Sequence, residues 1–144
     1  MKRLTISFTL SIGWLLLTTY LLVMPSNGDS GKFRRWLEEF GLDQYLKEFE
    51  ADKIVHIILF FVLVALWCWA VAELKISYLS KFLSFVIVAQ TWLFYGIAME
   101  FVQEYLKNGR SFEVKDMIAD GIGCALALLA SIPFIRRKQS ADPL

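Results

Sequence analysis

The sequence has 144 residues, about the length of one domain, and 57% of them are hydrophobic. Only 20% are charged, and because 15 basic residues nearly balance 14 acidic ones, the formal net charge is +1. This composition excludes a disordered chain, which needs low hydrophobicity and high net charge, and it disfavours a nucleic-acid-binding protein, which needs a broad basic surface. The apolar residues form four blocks, each close to the ~20 residues with which a helix crosses a bilayer. We therefore predict an integral membrane protein.

The first apolar block, Leu4–Met24, follows a basic start. It is longer than the apolar core of a secretory signal peptide and has no small-residue cleavage site after it, which favours an uncleaved helix over a signal peptide. The other blocks are Ile54–Ala72, Phe82–Val102 and Asp116–Ile135. We predict an all-α, four-transmembrane-helix bundle. Residues 1–25 form the first helix, 26–53 an extracytoplasmic amphipathic segment, 54–135 a three-helix core and 136–144 a basic tail.

Two short amphipathic helices are predicted between the first two spans, over Lys32–Phe40 and Asp43–Phe49. In both ranges, aromatic residues and leucines recur at positions i, i+3, i+4 and i+7. The runs are too short to cross a membrane, and their aromatic content is typical of the headgroup level. These interfacial helices either pack on the ends of the spanning helices or form a lid over a site.

Orientation is predicted from the basic residues beside the spans. Short segments that share one side of a four-span chain are rich in them: Lys2, Arg3, Lys75, Lys81, Arg136, Arg137 and Lys138. Because such segments stay in the cytoplasm, both termini are expected there. The segment 26–53 and the loop 104–115 then lie outside.

With this topology, polar residues of three spans collect at the outer face. Each span contributes a pair of residues on one helix face: Asp52 with His56, Glu100 with Gln103, and Asp116 with Asp120. An unpaired ionisable group about one turn inside lipid costs up to a few kcal/mol, so such groups normally face the bundle interior. We predict that these residues form one pocket; the alternative is an ion network that only joins helix ends. The predicted binding residues of the pocket are Asp52, Lys53, His56, Glu100, Gln103, Arg110, Asp116 and Asp120.

Three segments of this set carry a family resemblance. DKIVH at 52–56, GIAMEFVQ at 96–103 and RSFEVKDMIADGIG at 110–123 resemble the D-K-x-x-H, G-x-x-x-E-x-x-Q and R-x-x-x-x-x-D-x-x-A-N-x-x-G motifs of the VanZ-like family. Asp120 stands where many members carry Asn. The resemblance covers roughly Pro25 to Leu129. It implies a small protein of the bacterial cell envelope, located in the cytoplasmic (inner) membrane. The family is an antibiotic-resistance family, and its namesake is an accessory factor in teicoplanin resistance. The resemblance implies no defined reaction.

Two classes of function remain open. In the first, the pocket binds or modulates an anionic envelope lipid or a lipid-linked cell-wall precursor. Arg110 and Lys53 would contact phosphate, and the carboxylates would contact hydroxyl or amine groups. No nucleic-acid partner is expected.

In the second class, the protein is a membrane-embedded enzyme that transfers a phosphoryl or acyl group on a lipid. Its catalytic residues would be His56, as a general base oriented by Asp52, and Glu100 or Asp120, as the acid. A metal-dependent form would use His56 with Asp116 and Asp120. The single histidine disfavours zinc, and neither a metal nor another cofactor is predicted. Binding is favoured over catalysis because no nucleotide-binding, serine-hydrolase or zinc-protease motif occurs.

The remaining features indicate packing. Cys68 and Cys124 are expected at different depths, which excludes a disulfide between them. The fourth span carries a stripe of small residues that favours close contact with another helix of the same chain over a dimer interface: Ala119, Gly123, Ala127 and Ser131.

Overall fold

The computed structural model describes residues 2–24, 39, 51–106 and 112–139. These contain four long α-helices: α1 (Lys2–Val23), α2 (Ala51–Ala72), α3 (Tyr78–Leu106) and α4 (Val114–Gln139). All four are long and apolar enough to cross a membrane, which confirms the predicted all-α fold with four spans. Except for Glu39, which is helical, the residues of the two predicted interfacial helices lie outside the described residues.

Helices α3 and α4 extend beyond the predicted spans. Helix α3 is longer than 82–102 at both ends. Its start is fixed by Ser77, whose hydroxyl oxygen accepts a hydrogen bond from the backbone N–H of Ser80 at 3.2 Å. This is the contact by which a serine caps a helix N-terminus. Helix α4 runs from Val114 to Gln139, two residues before and four residues beyond the predicted span, and Pro133 lies inside it.

Large apolar side chains cover the outside of the bundle. Leu16 in α1 and Phe94 in α3 are each 65% exposed, and Leu129 in α4 is 64% exposed. Three of the four buried residues of α1 instead carry hydroxyl groups, namely Ser7, Ser11 and Thr18, and the fourth is Leu22. In a membrane this distribution is stable because lipid tails cover the large side chains while small residues let helices approach closely.

Hydrogen bonds between helices hold α1 against α2 and α3. They are Trp14 Nε1 to the Leu59 carbonyl at 3.0 Å, Thr19 Oγ1 with Tyr95 Oη at 2.8 Å, and Gln103 Nε2 to the Leu22 carbonyl at 2.9 Å. The last one places the end of α1 beside the end of α3. The starts of α2 and α4 lie at that same end of the bundle, which we call the carboxylate end.

The most extensive contact between helices is that of α2 with α4. A Cβ atom added at Gly123 would lie 2.5 Å from the carbonyl oxygen of Ile57, so the backbones approach as closely as a glycine allows. The other members of the small-residue stripe, Ala119, Ala127 and Ser131, are also buried. The stripe therefore serves packing within the chain. Cys68 and Cys124 are free and buried, as expected.

Replacing Gly123 tests this contact. Gly123→Ala should lower the free energy of unfolding by about 1–3 kcal/mol, because the new methyl group meets α2 backbone that cannot rotate away. Thermal unfolding in detergent measures the change. Gly121→Ala is the matched control, since its Cβ would meet only Leu93 Cδ1 at 3.5 Å, and it should leave stability equal or slightly higher. Equal melting temperatures for the two variants would contradict the close contact.

Candidate functional site

The carboxylate end encloses a cluster of buried polar side chains from three helices. The exposed fraction is 8% or less for each of these residues: Lys53, His56, Glu100, Gln103, Asp116 and Asp120. Asp52 lies at the rim with a half-exposed side chain, and Arg110 lies outside the described residues. Charged groups buried in a membrane bundle must be paired with one another or serve a ligand.

His56 and Asp120 form the most deeply buried pair of the cluster. His56 Nδ1 lies 2.8 Å from Asp120 Oδ1, and each residue is 1% exposed. This corrects the prediction that Asp52 orients His56. Asp120 is one turn before Gly123 on the same face of α4, so the close contact of α4 with α2 brings its carboxylate to the imidazole.

Two atoms of this pair have no hydrogen-bond partner among the described residues. One is Asp120 Oδ2 and the other is His56 Nε2, which lies 3.7 Å from Asp116 Oδ2, beyond hydrogen-bond distance. Buried polar atoms are nearly always hydrogen-bonded, and those that are not require an explanation in function or in a bound group.

Lys53 joins α2 to the start of α4. Its ammonium group forms an ion pair with Asp116 Oδ1 and donates a hydrogen bond to Glu113 Oε2 at 2.6 Å. The Asp52 carboxylate lies farther away, at 3.9 Å. Lys53 therefore compensates carboxylates of the protein, whereas the sequence analysis assigned it to a ligand phosphate.

Glu100 connects α3 to the residues just before the start of α4. Its Oε2 accepts a hydrogen bond from the backbone N–H of Glu113, just before α4, at 3.1 Å. Gln103 is buried one turn later, but its amide donates to the Leu22 carbonyl and so fixes the end of α1. Sequence analysis missed Glu113 as a site residue. Its position three residues before Asp116, directly before the fourth apolar block, was the available signal.

Gly96 is a second residue that the sequence analysis did not assign to the site. A Cβ atom there would lie 2.5 Å from Asp120 Oδ2 and 3.0 Å from the ring of Phe60. Glycine thus lets the Asp120 carboxylate lie directly against the backbone of α3. A glycine in the middle of a long apolar helix was the signal, because such a residue often marks a close approach.

The cluster contains two groups of residues that could hold a metal ion. One is His56 with Glu100 and Asp120, all buried, and the other is His56 with Asp52 and Asp116. Within each group the potential ligand atoms lie within 4.8 Å of one another. The metal-dependent alternative considered from the sequence paired His56 with Asp116 and Asp120. The geometry instead places Glu100 with His56 and Asp120.

Comparison with known proteins leaves the family open. No family model and no solved structure matches the chain, so the VanZ-like resemblance remains a prediction. A Schizosaccharomyces pombe protein described as "Uncharacterized protein C11E3.10" is 33% identical over 87 residues, which is 60% of this chain and 50% of that protein. The chain thus matches about half the length of this relative. The relative is fungal and lends no support to a bacterial origin.

Removing the Lys53 ammonium tests whether it compensates Asp116. Lys53→Met should lower the free energy of unfolding by roughly 3–5 kcal/mol, because the buried Asp116 carboxylate loses the ammonium group that compensates its charge. Adding Asp116→Asn to Lys53→Met should restore part of that loss, and a double-mutant cycle of thermal unfolding measures the coupling. Lys75→Met, at an exposed lysine, is the control and should change stability little. Additive effects of the two site substitutions would show that the ion pair contributes nothing.

Proposed function

We propose that this chain is a multi-pass membrane protein whose buried pocket binds the headgroup of an anionic membrane lipid or a lipid-linked precursor. The observation that carries the proposal is the convergence of buried ionisable side chains from three spanning helices at one end of the bundle. A headgroup bound at that depth would leave its tails in the surrounding lipid. The resemblance of the same residues to the VanZ-like motifs supports a role at a bacterial cell envelope.

The unpartnered atoms favour a ligand site over an ion network that only joins helix ends. In such a network every buried acceptor and donor is expected to be satisfied within the protein. On the Lys53 side, the ammonium group forms ion pairs with Asp116 and Glu113, so a cation compensates Asp116 Oδ1 although this atom has no hydrogen bond among the described residues. On the His56 side, His56 Nε2 and Asp120 Oδ2 have no hydrogen-bond partner among the described residues, and no ammonium group is paired with Asp120 there. Ligand binding would satisfy these two atoms.

Acid–base catalysis on a bound lipid is the second candidate. The His56–Asp120 hydrogen bond favours it, because a carboxylate on one imidazole nitrogen orients the other nitrogen to accept a proton. Glu100 is then placed to act as an acid in phosphoryl or acyl transfer. Conversion of an added lipid by the purified wild-type protein, and none by His56→Gln, would favour the enzyme. Binding by the wild-type protein without conversion would favour the headgroup-binding protein.

Loss of the Glu100 carboxylate should weaken retention of the bound lipid. Wild-type protein purified in mild detergent should retain one class of anionic lipid above its abundance in the membrane, measured by mass spectrometry. Glu100→Gln should lower this retention about tenfold, equivalent to ~1.4 kcal/mol. Glu104→Gln makes the same change at an exposed glutamate one turn away on α3 and should have no effect. A wild-type lipid profile identical to that of the bulk membrane would contradict headgroup binding.

The sidedness of the pocket is also a proposal: the carboxylate end faces outward and both termini are cytoplasmic. In a Cys68→Ala/Cys124→Ala background, a cysteine introduced at Gln44 should react with a membrane-impermeant thiol reagent in intact cells. A cysteine at Gln139 should react only after the cells are lysed. The opposite pattern would place the pocket at the cytoplasmic face.

A further inference from the structure

We infer that His56, Glu100 and Asp120 bind a divalent cation of the Mg²⁺ or Mn²⁺ class, and that this cation binds the phosphate of the headgroup. The role toward the headgroup rests on the function proposed above, whereas cation binding can be measured without any lipid. The inference starts from charge. Among the described residues of the pocket, carboxylates outnumber ammonium groups, and the Lys53 ammonium is already paired with Asp116 and Glu113.

The three side chains match the ligands of such an ion. One potential ligand atom from each lies within 4.8 Å of the others, and each residue is only 1% exposed. His56 Nδ1 and Asp120 Oδ1 are 2.8 Å apart. Two adjacent ligands of an octahedral ion with bonds of about 2.1 Å lie about 3 Å apart. The distance between His56 Nδ1 and Asp120 Oδ1 is therefore close to that between two adjacent ligands of such an ion.

Asp120 supplies an independent sign of a ligand. Its second oxygen, Oδ2, is buried and has no hydrogen-bond partner among the described residues. A Cβ atom on residue 96 would lie 2.5 Å from this oxygen, so the oxygen lies close to the backbone of α3. A buried carboxylate with an unsatisfied oxygen is costly, and a cation bound to that carboxylate lowers the cost.

The surroundings of His56 fit a metal ligand as well. A histidine that coordinates a metal through one nitrogen almost always donates its other N–H to a carboxylate, a backbone carbonyl or water. With Nδ1 on the cation, Nε2–H would point to Asp116 Oδ2, which now lies 3.7 Å away. Asp116 is itself held by Lys53. The cation would thus displace the proton between His56 and Asp120 and leave the Lys53–Asp116 pair intact.

The group formed by Asp52, His56 and Asp116 is the less suitable of the two. The Lys53 ammonium group lies against both of its carboxylates and would repel a cation there. Asp52 is also half exposed. The buried group offers two carboxylates, the ligand type that suits Mg²⁺ and Mn²⁺, together with one imidazole, which is a ligand more typical of later transition metals. Mg²⁺ sites typically use one or two carboxylates and complete their coordination with substrate phosphates, which supports a phosphate-bearing headgroup.

Binding of Mn²⁺ to the delipidated full-length chain in a non-ionic detergent tests the site. The electron paramagnetic resonance signal of free Mn²⁺ should fall until one ion is bound per chain, and Mg²⁺ should compete. Asp120→Asn and Glu100→Gln should each weaken binding by at least about tenfold, the size of effect seen even for residues that only support a metal ligand. Asp120→Asn keeps an oxygen for the His56 N–H, so it should preserve the fold. Glu104→Gln is the matched control and should bind like the wild type.

Absence of saturable Mn²⁺ binding by the wild type, or equal binding by all four proteins, would overturn the cation site.

Retention of anionic lipid is then measured on protein purified with EDTA and after Mn²⁺ is restored. Loss with EDTA and recovery with Mn²⁺ supports the link between cation and headgroup, and retention despite EDTA overturns that link alone. Lipid retained by a protein that binds no Mn²⁺ overturns the cation inference and leaves the proposed function standing. If the protein binds Mn²⁺ but selects no lipid, the cation inference stands and the proposed headgroup binding is overturned.

Discussion

The close approach of α2 to α4 is the constraint on which the rest of the pocket depends. At Gly123 there is no room for a side chain between the helix and the Ile57 carbonyl. Because the two backbones meet there, residues one and two turns earlier on α4 reach the facing residues of α2. Asp120 reaches His56, and Asp116 reaches Lys53. A wider spacing would leave each of these groups unpaired in a low-dielectric environment, where the cost is several kcal/mol per ion.

The pocket has two halves with different energetics. In one half, Lys53 compensates Asp116 and contacts Glu113, so the carboxylates are paired within the protein. In the other half, His56 and Asp120 share a single hydrogen bond, and each retains an atom without a hydrogen-bond partner among the described residues. Unsatisfied groups lower stability, and proteins tolerate them mainly where a ligand or a reaction uses them. The first half therefore holds the helices together, and the second half is where we propose that a ligand binds.

Sequence reasoning succeeded where a local pattern carries the information. Apolar block lengths gave the four spans, and spacings of three or four residues placed each polar pair on one helix face. The partner of His56 could not be obtained in this way. Asp52 lies one turn away on the same helix, and Asp116 and Asp120 lie at similar depth on another. The choice among them depends on the distance and axial register between α2 and α4, which no single segment encodes. Gln103 shows the same limit, since its hydrogen bond depends on where α1 ends.

Helix α3 completes the pocket by a different kind of contact. Glu100 reaches α4 through the backbone N–H of Glu113, and Gly96 gives Asp120 a place to lie. Both contacts involve the stretch of α4 that also binds Lys53, so a shift of α3 along its axis would alter the two halves of the pocket together. Gln103 opposes such a shift by its hydrogen bond to the end of α1. The glutamine belongs to the same motif as Glu100, and its effect on the pocket is indirect: it holds α3 at the height that keeps the Glu100 carboxylate beside His56 and Asp120.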